Sequence, residues 1–354
     1  MQIQTTNKDE IVKKIVNKWI RALGSVLLII ANHSVVAAPI DSLRDGQSGR
    51  IEFVSSNPAN RWQMIRGRLG EQQVVFGDLL MPKNIASKVP AVVFSHGSEG
   101  VSPLYFDVWA RAMNDAGIAV FVVDSFKPRG LDNITGPVKQ LTYDAQTSNV
   151  ADALNALKLL STHPQIDPDR IFHQGWSRGG STVLAAAWPA YQTGLPAGMK
   201  WAGSIAMYPG CNIRYRSEKP AMPSPMMMVL GAKDDMTPAP LCVEYAKDLA
   251  AKGNPVTYKV MDGAYHVFDR ANQKYIQTRQ GTYRDCDMDI TMPTKNDTSW
   301  GVGTDRLTNK AILSNADFGV AVKACETVAY VVSETNAKAR DQAVQDVLAF
   351  IRQH

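Results

Sequence analysis

The residues best placed to do chemistry centre on one serine, in Gly175-Trp176-Ser177-Arg178-Gly179. A serine hydroxyl is a weak nucleophile at neutral pH. It needs a base within hydrogen-bond reach and an acid that orients the base. There are six histidines. His33 lies in the N-terminal segment, His354 ends the chain, His163 precedes Pro164, and His173 sits on the strand leading into the serine turn. His96 reads as a structural loop residue. That leaves His266, in Asp262-Gly263-Ala264-Tyr265-His266 directly after the final strand of the expected sheet, as the candidate base. The acid is expected after another strand, between serine and histidine in sequence. Leu230-Gly231-Ala232-Lys233-Asp234-Asp235 fits, with Asp234 preferred and Asp235 left open; one of the two serves a turn or a helix cap. An oxyanion formed on a substrate carbonyl needs preorganised donors. The candidates are the backbone N–H of Ser98, in the loop His96-Gly97-Ser98, and that of Arg178, at the positive end of the following helix.

These groups meet only if the elements carrying them share one edge of a sheet. An apolar strand leads into Ser177 and an Ala-rich helix, Thr182 to Trp188, leaves it. Gly175 and Gly179 then allow strand and helix to approach closely at a sharp turn, the context in which a G-x-S-x-G pattern is informative. Continuous apolar runs at 89–94 and 118–124 read as strands buried on both faces, and 202–208, 226–230 and 256–261 read as strands. A further strand is expected at 73–82. Residues 39–70 read as irregular apart from a strand at 51–54. Helical spacing covers 104–116, 143–161, 241–252 and 334–352. The alternation predicts an α/β fold, a mostly parallel doubly wound sheet with helices on both faces. In such sheets functional groups sit beyond the carboxyl ends of the strands. No repeat or low-complexity linker divides residues 39–354, which read as one domain. Residues 270–333 break the rhythm and read as a disulfide-pinned insertion beside the site, or as a lid.

Most of the formal charge of +5 lies in the first 37 residues, where Lys8, Lys13, Lys14, Lys18 and Arg21 face only Asp9 and Glu10. The remainder is too nearly neutral for a nucleic-acid or anionic-membrane partner. Residues 1–38 read as a secretory signal: a basic stretch, an apolar run from Ala22 to Ala31, and small residues before Pro39, with cleavage after Ala37 or Ala38. The apolar run is well short of the ~20 residues a membrane-crossing helix needs. The expected mature protein is periplasmic or secreted, with no stable membrane span; the sequence sets no oligomeric state. The four cysteines, Cys211, Cys242, Cys286 and Cys325, fit two disulfides in an oxidising compartment. The favoured pairing is Cys211–Cys242 and Cys286–Cys325. No C-x-x-C pair or histidine cluster points to a metal, and no organic cofactor is implied.

The order Ser177, Asp234, His266, with the glycine-flanked serine turn and the His96-Gly97 loop, resembles the α/β-hydrolase fold. More narrowly the chain resembles the dienelactone hydrolase family, through Phe94-Ser95-His96-Gly97, Val123-Asp124-Ser125-Phe126-Lys127-Pro128-Arg129-Gly130, Gly175-Trp176-Ser177-Arg178-Gly179-Gly180, Leu230 to Pro238, and Gly263-Ala264-Tyr265-His266-Val267-Phe268-Asp269. The resemblance implies a serine hydrolase that cleaves small or bulky carboxylic esters through an acyl-enzyme. The family's namesake enzymes carry cysteine at the position of Ser177, which points away from dienelactone as substrate. A peptidase or acyltransferase with the same triad is the alternative; a non-catalytic envelope binding protein would be expected to show a broken triad. Many α/β-hydrolases insert a cap where this chain has only residues 209–225, so an open cleft is expected. Tyr105, Trp109 and Tyr265 are aromatic candidates for pocket wall or core.

Overall fold

The uninterrupted apolar runs become strands because each is covered on both faces. In a computed structural model of the chain, which describes residues 39–139, 146–217, 220–292 and 303–354, Ala91 and Val93 enter one hydrophobic cluster while Val92 and Phe94 enter the other. Alternate side chains of a strand point to opposite faces, so two cores leave no polar position. Residues 1–38, read from the sequence as a signal, the start of the helix expected from Tyr143, and Asn296–Ser299 lie outside the described residues.

The elements run in chain order as follows. Strand β1 spans Gly49–Asn57, helix α1 Arg61–Ile65, β2 Glu71–Leu80 and β3 Val89–Ser95. A π-helical stretch, Leu104–Ala110, continues into α2, Arg111–Asp115, and β4 is Ala119–Asp124. Then come α3 Gln146–Leu160, β5 Ile166–Trp176, α4 Arg178–Ala186, β6 Ser204–Met207, β7 Ile213–Arg216, β8 Met226–Gly231, α5 Ala239–Ala251 and β9 Val256–Met261. The remainder holds β10 Ile276–Thr282, β11 Met288–Thr291, β12 Gly303–Asp305, β13 Lys310–Ile312, α6 Asn315–Cys325, β14 Thr327–Ser333 and α7 Ala337–Gln353.

Eight strands form one sheet in the order β1-β2-β4-β3-β5-β6-β8-β9. The two joins made by β2 are antiparallel and the rest are parallel. Helices α3, α4 and α5 contribute to the core on one face, and the 104–115 helical segment and α7 to that on the other. This is the doubly wound arrangement of an α/β-hydrolase, and it brings the carboxyl ends of β3, β5, β6, β8 and β9 to one edge. Residues 39–70 are more ordered than their polarity predicts. Ile51 and Phe53 are buried while Glu52 and Val54 are exposed, the alternation of an edge strand with one wet face.

The insertion is built from strands that the sequence pattern does not reveal. β10 pairs antiparallel with β14. β11, β12 and β13 form a second small sheet that docks in parallel on β7, in the very link where a cap was expected to be missing. The link therefore carries no cap of its own but seats the later insertion. Arg214 of β7 is fully buried and ion-pairs with Asp287, and with Asp289 of β11 at 2.9 Å. The favoured disulfides both form: Cys211–Cys242 fastens the start of this link to α5, and Cys286–Cys325 closes the segment holding β11 to α6. Among the described residues no helix is long and apolar enough to cross a membrane.

The Cys286–Cys325 bridge spans a sequence separation of 39. A loop of that size is worth about 4 kcal/mol in the chain-entropy treatment. Replacing both cysteines by serine is expected to lower the urea-unfolding free energy by about that amount; a loss below about 1 kcal/mol would show that the insertion is held without its staple.

Candidate active site

Ser177 occupies the turn between β5 and α4 with φ 53° and ψ −114°, a costly backbone for a residue with a Cβ. The glycines beside it answer a second constraint. A Cβ on Gly175 would lie 2.2 Å from the Gly179 carbonyl oxygen, and one on Gly179 would lie 2.0 Å from that of Ser95. The backbones of β3, β5 and α4 thus converge with no room for a side chain, and the hydroxyl of Ser177 is pushed clear of the sheet.

His266 follows β9 in a loop whose next residue, Val267, is itself at φ 53°. Its Nε2 lies 2.9 Å from Ser177 Oγ and its Nδ1 lies 2.8 Å from Asp234 Oδ2. An ionised carboxylate only accepts, so the proton sits on Nδ1 and the lone pair of Nε2 faces the serine hydroxyl. Asp234 is fixed in turn. Its Oδ1 accepts the N–H groups of Met236 at 2.9 Å and Thr237 at 2.8 Å, and its Oδ2 lies 3.0 Å from the Thr237 hydroxyl. Asp235 points elsewhere, accepting from the Val332 N–H of β14 at 3.0 Å, while its own carbonyl accepts from Arg284 at 3.0 Å. The structure thus brings Asp234, and not its neighbour, against the imidazole. One carboxylate faces the histidine and the next anchors the insertion.

The two proposed donors flank the serine. Ser98 borders one cavity and Arg178 another, and Ser177 borders both. The N–H of Gly97 is already used, donating to the Tyr105 hydroxyl at 2.9 Å. His96 is occupied on both ring nitrogens: Nδ1 lies 2.8 Å from the Gly97 carbonyl and Nε2 accepts the Ser125 N–H at 3.1 Å. Burial pushes its pKa down, and a neutral ring with both nitrogens engaged orders the loop rather than moving protons. Among the described residues no group of three or more His, Cys, Asp or Glu is placed to hold a metal ion.

The two cavities have volumes of about 450 and 380 Å³. The larger runs from Ser177 and Arg178 past Leu184 and Met236 to Phe318 and Val322 of α6. The smaller holds His266, Ser98, Tyr105 and, across the opening, Val331 and Val332 of β14. The insertion contributes a wall to each cavity, with Arg61 of α1 beside it in the larger and Asn133 and Thr135 in the smaller, so the expected open cleft is instead bounded on two sides. Tyr105 is a wall residue and Trp109 a core residue. Tyr265 meets the ring of Tyr275 at 6.2 Å. Sequence reasoning missed Phe318, α1 and the partner of Asp235, because nothing in a polar segment marks which residues fold back.

The model of the dienelactone hydrolase family matches residues 76–288. The chain belongs to that family, and is with it a hydrolase. No curated protein is matched. Among solved structures, the chain is similar to one from Klebsiella pneumoniae subsp. pneumoniae MGH 78578 whose dienelactone hydrolase name is provisional, at 18% identity, TM-score 0.44, covering 62% of this chain and 88% of that one. It is also similar to esterase 2 of Thermogutta terrifontis in its apo form, at 17% identity, TM-score 0.45, covering 55% and 80%, and in its propionate-bound form, at 18% identity, TM-score 0.43, with the same coverage.

His173, beneath the site, bears on stability. It is fully buried, stacked on Trp201 at 4.6 Å, with Nε2 2.9 Å from Ser95 Oγ. Desolvation pushes its pKa down to about 3. An unfolded histidine protonates near 6.5. Between those values the unfolded chain binds a proton that the folded chain refuses, so stability is lost as pH falls through that window. The expected loss from this residue is about 3 kcal/mol between about pH 6.5 and 4. Urea unfolding across that range should show a shallower pH slope for His173→Gln; equal slopes would refute the assignment.

Proposed function

We propose that the chain is a serine hydrolase of carboxylic esters acting through Ser177, His266 and Asp234. The observation that carries this reading is the continuous line from Oδ2 of Asp234 through both ring nitrogens of His266 to Oγ of Ser177, at 2.8 and 2.9 Å. Nε2 takes the hydroxyl proton as Oγ bonds to the ester carbonyl carbon. Asp234 stabilises the resulting imidazolium without itself becoming protonated. The N–H groups of Ser98 and Arg178 hold the oxyanion. Collapse breaks the bond to the alcohol oxygen, which receives the proton from Nε2 and leaves an acyl-serine. Water then attacks the acyl carbon, its proton passes to Nε2, and Oγ departs with that proton restored.

His266 borders the smaller cavity and not the larger. The group that must be protonated by Nε2 therefore lies toward the smaller cavity, which places the alcohol half there and the acyl half in the larger one, against Leu184, Met236, Phe318 and Val322. The mature enzyme is read as a single domain from residue 39, exported behind a cleaved signal. Two disulfides suit an oxidising compartment.

Aryl-ester turnover tests the assignment of roles. Ser177→Ala and His266→Ala are expected to be inactive, and Ser177→Ala to lose labelling by a fluorophosphonate. Asp234→Asn should lower kcat by about 10⁴-fold, through the wrong imidazole tautomer, and Asp235→Asn by less than about tenfold. Turnover by Ser177→Ala at the wild-type rate would end this reading.

A further inference from the structure

Asp269 stands three residues beyond His266, fully buried, and ion-pairs with no Lys, Arg or His among the described residues. Its partners are three neutral donors. Oδ2 accepts from Nε1 of Trp109 at 2.8 Å and from Nε1 of Trp176 at 2.9 Å, and Oδ1 accepts from the Tyr208 hydroxyl at 2.7 Å. Burial raises the pKa of the acid, and the hydrogen bonds from Tyr208, Trp109, Trp176 and its own backbone N–H oppose that shift. A buried carboxylate is costly where an apolar side chain would fill the space, so its retention calls for a task.

The partners identify the task. Trp176 immediately precedes Ser177. Tyr208 follows β6, lies at φ 35°, and sets its ring edge-on to the His266 imidazole with centroids 4.9 Å apart. Val267, two residues before Asp269, is a β-branched residue at φ 53°. Among the described residues, five non-glycine residues have positive φ; two are asparagines, which tolerate it, and the other three are Ser177, Tyr208 and Val267. Such conformations persist only where the surroundings over-determine them. Trp109 supplies the outer anchor, from the π-helical stretch on the same face of the sheet.

We infer that Asp269 is a positioning residue: its carboxylate ties the histidine loop to the serine turn and to Tyr208, and so holds the three strained backbones in the arrangement where Nε2 of His266 meets Oγ of Ser177. This rests on the esterase reading above and adds a residue to it that does not touch substrate.

The test uses Asp269→Leu, Asp269→Asn and Tyr208→Phe in the full chain, with aryl-ester kinetics and thermal unfolding recorded for each. Leucine has similar bulk and no acceptor. Asparagine can still accept from both indoles through Oδ1 and donate to Tyr208 through Nδ2. The leucine variant is expected to lose about 100-fold in kcat with KM moved less than about 3-fold, the signature of misplaced groups rather than a lost binding contact. Asparagine is expected to recover kcat to within about 10-fold of wild type. Tyr208→Phe, which keeps the ring against His266, is expected to lose about 10-fold in kcat alone. A folded leucine variant with kcat within about 3-fold of wild type overturns the inference, and so does an asparagine variant no better than leucine. Should leucine prevent folding, an unchanged kcat in Tyr208→Phe overturns it. Ester turnover that survives Ser177→Ala instead defeats the esterase reading itself; dependence on Ser177 with indifference to position 269 defeats only this inference.

Discussion

The close approach of three backbones beneath Ser177 is the constraint on which the rest depends. β3, β5 and the first turn of α4 meet so tightly that a single methyl group at Gly175 or Gly179 would overlap a carbonyl oxygen. That contact puts the serine in an unfavourable backbone conformation, and the hydrogen bond from its N–H to the Met207 carbonyl at 2.9 Å keeps it there. It also determines where other groups must be. A base can reach the hydroxyl only from beyond the ends of β8 and β9, where the sheet order places Asp234 and His266. The parallel core does more than bury apolar surface: it converts two distant loops into neighbours of one oxygen.

The second organising feature is the tether between the reacting edge and the insertion. Adjacent aspartates divide the work, one facing the imidazole and one accepting from a backbone N–H of β14. The same two-residue turn thereby orients the histidine and locates a cavity wall. Arg214, buried among the carboxylates of β11 and its approach, and the two disulfides hold the other wall. A buried ion cluster of this kind is costly to desolvate, and its geometry specifies one docking of the insertion against β7.

The central sheet and the Ser177, His266 and Asp234 constellation were legible in the sequence for physical reasons. Strands covered on both faces must be continuously apolar, as at 118–124, and a serine between two glycines after such a strand is forced into a tight, outward-facing turn. Between Asp234 and Asp235 the sequence supported only a preference for Asp234, because the choice depends on which way adjacent side chains turn. The insertion at 270–333 and its Cys286–Cys325 pin were legible, but its strands were not: they are short and partly solvated, so β10 and β11 carry no apolar run, and the pairing of β7 with β11 joins segments some seventy residues apart by main-chain bonds that leave no mark on side-chain pattern. Asp269 closes the family-like stretch that begins at Gly263, yet its role was invisible there; only its partners, two of them tryptophans with the look of ordinary core, supply one.

The lateness of β14 has a consequence for the order of events during synthesis. Ser177, Asp234 and His266 all leave the ribosome before Thr327–Ser333 does, yet Asp235 cannot find its Val332 N–H, nor His266 its bridge to Ser333, until that strand arrives. A nascent chain stopped short of it carries Ser177, Asp234 and His266 without the strand that lines the smaller cavity. The wall of the smaller cavity is thus completed only after all three residues of the candidate site have been made, an order written into the connectivity.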